Sequence, residues 1–230
     1  LLALLAGAYI APAGAGAPAS AVTVESGSLA KLLSACVFPA GLSMVILAGS
    51  ELFTGNCLMV MALLERRITP AQLLRNWLTV YLGNAVGGAA VAALAVYSHT
   101  ASLFGDGLAR SMASIAESKA ALGFGDAFLR GVLCNFLVCL AVWMAAASKR
   151  AEGKVIALFF PILLFVLCGY EHCIANLYYL PAGAFAAAEY GVETTLTLAG
   201  CLKNLAAVTL GNLVGGAALG VGYRFAYLKE

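Results

Sequence analysis

Glu171 and His172 place a carboxylate beside an imidazole in a stretch that otherwise suits a lipid environment. No Asp, Glu, Lys or Arg occurs from Val155 to Tyr170 or from Cys173 to Ala188. Ionisable groups at the middle of such a run are costly and usually functional. An imidazole can exchange protons near neutral pH or pair its two nitrogens with other groups. His172 therefore reads either as a proton-exchanging or hydrogen-bonding gate, or as a core histidine satisfied by a neighbouring carbonyl. Pro181 and Gly183 follow soon after. The run reads as a helix broken at mid-membrane, a construction tolerated only where the freed backbone is buried in protein or lines a cavity.

The break is predicted to occur twice. Leu47, Gly49, Glu51 and Asn56 recur as Leu167, Gly169, Glu171 and Asn176 at one constant spacing. Downstream, the segment from Leu82 to Ala90 matches that from Leu210 to Ala218 at all but one position. Two matches in the same order imply an internal duplication. With three spans in each half, about residues 1–97 and 124–230, the halves enter the membrane in opposite senses, as in inverted-repeat transporters and channels. The whole chain then forms one transmembrane domain with its site where the two breaks meet.

Within that frame, Glu51 and Glu171 are expected to accept the freed backbone N–H groups of the broken helices, with direct contact to a solute as the alternative. Asn56 and Asn176 fit as N-caps of the resumed half-helices. Those helix N-termini would turn partial positive charge toward the centre and favour an anion. The repeat pairs His172 with Leu52, so the halves meet asymmetrically, and Thr54 is the nearest hydroxyl the first break offers.

The elements that must position these groups follow from composition. The chain is 63% hydrophobic and 10% charged, with a mean hydropathy of +0.95, which describes an all-α protein crossing a membrane several times rather than a soluble domain. Six spans are predicted: from Leu1 to about Ala17; from Leu29 to a break near Ser50, resuming from Asn56 to Leu64; to about Tyr97; from about Ala127 to Ala147; a broken fifth; and from Leu205 to Phe225. The abrupt apolar start is expected to follow a native N-terminal segment, and it lacks the basic n-region of a signal peptide. Thr69, Pro70 and Gln72 supply an N-cap, a first-position proline and a capping-box partner. Residues 98–123 are too polar for lipid and are expected to hold a short surface helix. Gly211, Gly215, Gly216 and Gly220 form a small-residue stripe suited to close helix packing. Arg66, Arg67 and Arg75, with Lys149, Arg150 and Lys154, mark two cytoplasmic loops by the positive-inside rule, which places both termini in the cytoplasm.

Other residues admit two readings each. Phe38 and Leu42 share a helical face, and Phe165 lies two turns before His172; they are plain core or lipid-facing surface, or they line a narrow pore. Asn135 needs a polar partner in the bundle. Lys119 is a solvated charge or draws anions to the mouth of a pore. The seven cysteines are odd in number and lack a CxxC pair, so they read as small core residues without a disulfide framework. No third group completes a Cys-His enzyme, and no CxxCH or GxSxG element or zinc-ligand spacing is present. No catalytic residue, metal or cofactor is expected. A net charge of +2 without a basic stripe argues against nucleic-acid binding.

The segments Glu51 to Asn56, Leu133 to Trp143, Glu171 to Asn176 and Val208 to Asn212 resemble the formate/nitrite transporter family, and the resemblance covers essentially the whole chain. It implies an aquaporin-like pore in each protomer of a pentamer in the cell (inner) membrane, in contact with lipid and conducting formate, nitrite or hydrosulfide. It also implies a central histidine at His172 approached by Thr54, a polar residue near the centre at Asn135, hydrophobic constrictions at Leu52, Leu42, Phe38 and Phe165, and a vestibule lysine at Lys119. The expected function is a channel for small weak-acid anions that pass His172, with proton exchange there. The alternatives are an aquaporin-like pore for neutral solutes and, more distantly, a membrane Cys-His enzyme.

Overall fold

The computed structural model describes residues 1–227, and every regular element within them is helical. The order is α1 (Leu2–Ala19), α2 (Gly27–Val37), α3 (Pro39–Ala48), α4 (Phe53–Asn56), α5 (Val60–Leu64), α6 (Pro70–Tyr97), α7 (Gly107–Ala121), α8 (Phe124–Ala147), α9 (Ala151–Leu167), α10 (Cys173–Tyr190) and α11 (Leu198–Tyr227). Five stretches among the described residues are long and apolar enough to cross a bilayer: Leu2–Ala19, Gly27–Ala48, Pro70–Tyr97, Phe124–Ala147 and Leu198–Tyr227. The α9–α10 pair is divided by residues 168–172.

Local chemistry explains where the helices stop. Thr69 and Gln72 form the expected capping box at the head of α6, with Pro70 in its first turn. Gly49 at φ 73° ends α3, and Gly169 at φ 70° follows α9. Both adopt a left-handed conformation that glycine enters without a Cβ penalty, so the recurrent glycine of the repeat is where each helix lets go. The first restart comes at Phe53 rather than at Asn56. The residues that precede the restarted helices are Leu52 and His172. Asn56 and Asn176 therefore are not N-caps; they lie one turn further in.

Packing repeats the pattern. α6 lies against α1 and α11 against α8, the two most extensive helix pairs. In each, a glycine lets backbone meet backbone: a Cβ on Gly87 would collide with the Leu4 carbonyl, and one on Gly215 with the Val132 carbonyl. Gly211, Gly215 and Gly216 of the α11 stripe thus pack on α8 while Gly220 meets Val60 of α5, and α6 carries a counterpart at Gly83 and Gly87 against α1. Helix α7 is more embedded than a surface helix. It buries Leu108, Ala109, Met112, Ala113 and Ala116, and Gly183 of α10 passes close to Ala116 and Met112. Its half-buried Glu117 accepts hydrogen bonds from the Thr194 hydroxyl and the Thr195 amide. These bonds hold the Glu117 carboxyl below the usual carboxylate range, and they tie the loop before α11 to α7.

Candidate functional site

The two breaks are held by asparagines that come from elsewhere in the chain. Asn84 of α6 accepts the Phe53 N–H through Oδ1 at 3.0 Å and donates through Nδ2 to the carbonyls of Glu51 at 2.9 Å and Ala3 at 2.6 Å. Asn212 of α11 does the same at the second break. It accepts the Cys173 N–H at 2.8 Å and donates to the carbonyls of Glu171 at 2.9 Å and Gly131 at 2.8 Å. Both side chains are fully buried. A carboxamide has one acceptor oxygen and two N–H donors, and here all three act at a place where the helix cannot satisfy its own backbone.

Glu51 and Glu171 have a different task from the one expected of them. They do not take the freed amides; each accepts from the asparagine one turn on. Asn56 Nδ2 donates to Glu51 Oε2 at 2.6 Å and to Asn76 Oδ1 at 3.0 Å. Asn176 Nδ2 donates to Glu171 Oε2 at 2.7 Å and to Asn204 Oδ1 at 2.8 Å. The amide of Cys173 is taken by Asn212 and that of Ala175 by His172. Little donor capacity is left at the start of α10 to hold a free anion.

The halves differ where charge is concerned. The second carboxylate oxygen of Glu171, Oε1, pairs with Lys119 Nζ of α7 at 2.9 Å, the two side chains being 7% and 15% exposed. The same ammonium lies 5.2 Å from the centre of the Tyr179 ring. Lys119 therefore is engaged by a buried carboxylate and an aromatic face rather than standing free in the water of the mouth.

His172 joins the halves. Its Nδ1 accepts the Ala175 N–H at 3.1 Å, and its Nε2 lies 2.9 Å from Thr54 Oγ1. An Nδ1 that accepts cannot carry a proton, so the imidazole is neutral with its hydrogen on Nε2, donated to the Thr54 hydroxyl. The ring also stacks on Phe165 with centroids 5.9 Å apart. Asn135 lies behind this contact: its Nδ2 donates to the carbonyls of Thr54 at 3.2 Å and Asn212 at 2.7 Å. It braces the two breaks and is not among the residues that wall the space beside His172.

That space is narrow and apolar. Phe38, Leu42, Leu52 and Phe165 converge there with Ile10, Val138, Ile162 and His172 around a cavity of about 10 Å³. A cavity of this size holds about one water at most, and a water needs several polar partners to remain. His172 is the one polar side chain in the wall. Phe38 and Phe165 meet edge to face at 5.6 Å and separate the constriction from a wider recess of about 150 Å³ lined by Lys31, Lys119, Glu171 and Tyr179. A charged solute that enters must shed its water, and one imidazole N–H can compensate.

Sequence reasoning missed Asn76, Asn84, Asn204 and Asn212 as parts of the site. The signal was available, since Asn84 and Asn212 sit at the same place in the duplicated segment, but no spacing rule tells a bracing amide from a helix-packing one. Replacing Asn212 by Ala is expected to leave the buried Cys173 N–H and the Glu171 carbonyl without partners. At about 1–3 kcal/mol for each such group, the thermal midpoint of the detergent-solubilised protein should fall by several degrees, and Asn212→Asp, which keeps the acceptor but turns a carboxyl oxygen on the other carbonyls, should not rescue it. Scanning calorimetry of the two variants checks it.

Comparison with known proteins places this arrangement. Residues 1–226 match the family model described as formate/nitrite transporter. The probable formate transporter of Methanothermobacter thermautotrophicus is 39% identical, the match covering 100% of this chain and 89% of that protein. The formate channel FocA of Haemophilus influenzae is 39% identical over 86% of this chain and 74% of its own length. Among solved structures, a pentameric formate channel with formate bound superposes with a TM-score of 0.88 at 32% identity, covering 100% of this chain and 96% of that one.

Proposed function

This chain belongs to the formate/nitrite transporter family, and from that premise we propose that it is a channel for small monovalent weak-acid anions, with formate as the first candidate. The observation that carries the reading is the narrow apolar constriction closed by Phe38, Leu42, Leu52 and Phe165 beside the His172–Thr54 pair. A bare anion pays heavily to enter such a space, and its protonated acid pays much less. Burial raises the proton affinity of a carboxylate, so an acid that titrates near ~4 in water shifts toward its neutral form as it leaves the vestibule. The Nε2–H of His172 is placed to donate to the entering oxygen in exchange for Thr54. A full proton relay through the ring additionally requires Nδ1 to release the Ala175 amide.

The oligomer is proposed to be a pentamer in the inner membrane, supported by the likeness to the pentameric formate channel. Counting α2 to α5 as one broken span and α9 with α10 as another yields six. The recurrence of Gly49, Glu51, Asn56 and Asn84 as Gly169, Glu171, Asn176 and Asn212 supports two inverted halves of three spans, an aquaporin-like plan. The basic loops near Arg66 and Lys149 then face the cytoplasm with both termini, and Glu193 faces outside. Single cysteines introduced at positions 66 and 193 should react with impermeant thiol reagents from opposite sides. Labelling from one side would overturn this topology.

The function is tested by reconstituting the protein in liposomes and measuring entry of formate, nitrite and hydrosulfide, with glycerol and urea as neutral controls. Rapid anion-dependent swelling is expected, at a rate that rises as the outside pH is lowered. Permeation by the neutral controls alone would sink the anion reading.

A further inference from the structure

The engagement of Lys119 by Glu171 leaves open which charges gather anions at the mouth. We propose that Lys31 of α2 and Arg130 of α8 form the anion-collecting site of the vestibule, while Lys119 braces the second break. The inference rests on the channel reading above and assigns these two residues to its entrance.

Three observations carry it. Lys31 and Arg130 line a common recess of about 330 Å³ with Lys119, Gly169 and Glu171. Three cations against one carboxylate leave the recess with an excess of two positive charges. Secondly, Lys31 and Arg130 are exposed, and among the described residues neither enters an ion pair, the two pairs found being Lys119 with Glu171 and Arg224 with Glu65. Their charge is free to act on a solute, whereas that of Lys119 is balanced at 2.9 Å.

The third observation is continuity. The basic recess shares Lys31, Lys119, Gly169 and Glu171 with the next one inward, and that one shares Phe38, Phe165 and His172 with the constriction. An anion drawn to Lys31 and Arg130 then has one recess to cross before the apolar gate, and there the Glu171 carboxylate is already neutralised by Lys119 at 2.9 Å. A cleft lined by one sign of charge with low-dielectric walls focuses the field and raises the local concentration of the opposite ion. Cations just outside the gate concentrate the ionised acid, which is the abundant form, where its neutral fraction can partition inward.

The test uses the whole protein in liposomes, with formate entry followed at low and high ionic strength for wild type, K31Q, R130Q, the double variant and the charge-retaining pair K31R/R130K. At about 10 mM salt the Debye length of ~30 Å lets both charges act, and at 1 M, where it is ~3 Å, they are screened. The double variant is expected to lose roughly tenfold of the low-salt rate and to approach wild type in high salt, and K31R/R130K should keep the full rate. An unchanged low-salt rate overturns the proposal, as does a loss of equal size at both salts, which would mark a structural effect. Failure of the glutamine pair to assemble also overturns it, since side chains free of partners should not be needed for folding. Absence of formate entry in wild type would instead sink the channel reading itself.

Discussion

Lys119→Glu should destabilise the folded protein severely instead of merely slowing anion entry. The substitution sets a second carboxylate against Glu171 at a place where the side chains are 15% and 7% exposed. Removing one partner of a buried pair costs about 3–5 kcal/mol because the other charge is left unpaired, and reversing its sign adds repulsion. The Tyr179 face loses its cation as well. A fall of many degrees in thermal midpoint is expected, with dissociation of the assembly on a sizing column, and added salt should restore little because screening hardly reaches a buried pair. Lys119→Met combined with Glu171→Gln should be milder than either single change, and the double-mutant cycle reports the coupling directly. A Lys119→Glu protein with the wild-type midpoint, whose flux defect disappears in high salt, would return the lysine to the solvent of the mouth.

His172→Asn should keep the fold and change what permeates. Asparagine is a favoured N-cap, so its Oδ1 can take over the Ala175 amide that Nδ1 now accepts. It cannot also supply the Nε2–H that meets Thr54 at 2.9 Å, nor the ring that stacks on Phe165. The donor to the entering oxygen is lost and the constriction widens. A hydrogen bond to a charged group is worth about 1.5–3 kcal/mol, so formate uptake that depends on the His172 donor should fall roughly 10- to 100-fold. The wider gap should admit hydrated anions, which carry current. The measurements are pH-dependent formate uptake and single-channel current in one reconstituted preparation. A flattened pH profile with more current per acid moved is expected. An intact oligomer with the wild-type profile would deprive His172 of both the donor and the proton-exchange roles.

The sequence alone determined a large share of this protein. Composition makes it a helical membrane protein because there is too little charge to cover a soluble surface. The repeated Leu-Gly-Glu-Asn pattern marks where α3 and α9 end, because its glycine is free to turn left-handed at positions 49 and 169. The family motifs then identified the class of solute. The ends of the broken helices were harder to read. Restart at Phe53 instead of Asn56 follows from an acceptor on Asn84, and that acceptor lies on another helix.

Only the tertiary structure decided the partners of the polar groups. A buried carboxylate must be satisfied, but spacing along the chain does not reveal by what. Glu171 met Asn176 from the helix that follows it, as a local rule could suggest, and Lys119 from 52 residues away, as no local rule could. The same holds for Asn135, which faces two backbone carbonyls from different segments, and for Lys31 and Arg130, which share a recess only because α2 and α8 converge there with the second break. Hydrophobic periodicity reports which side of a helix leaves water. Hydrogen bonds and ion pairs act over about 3 Å, so their partners depend on how the helices are placed against one another.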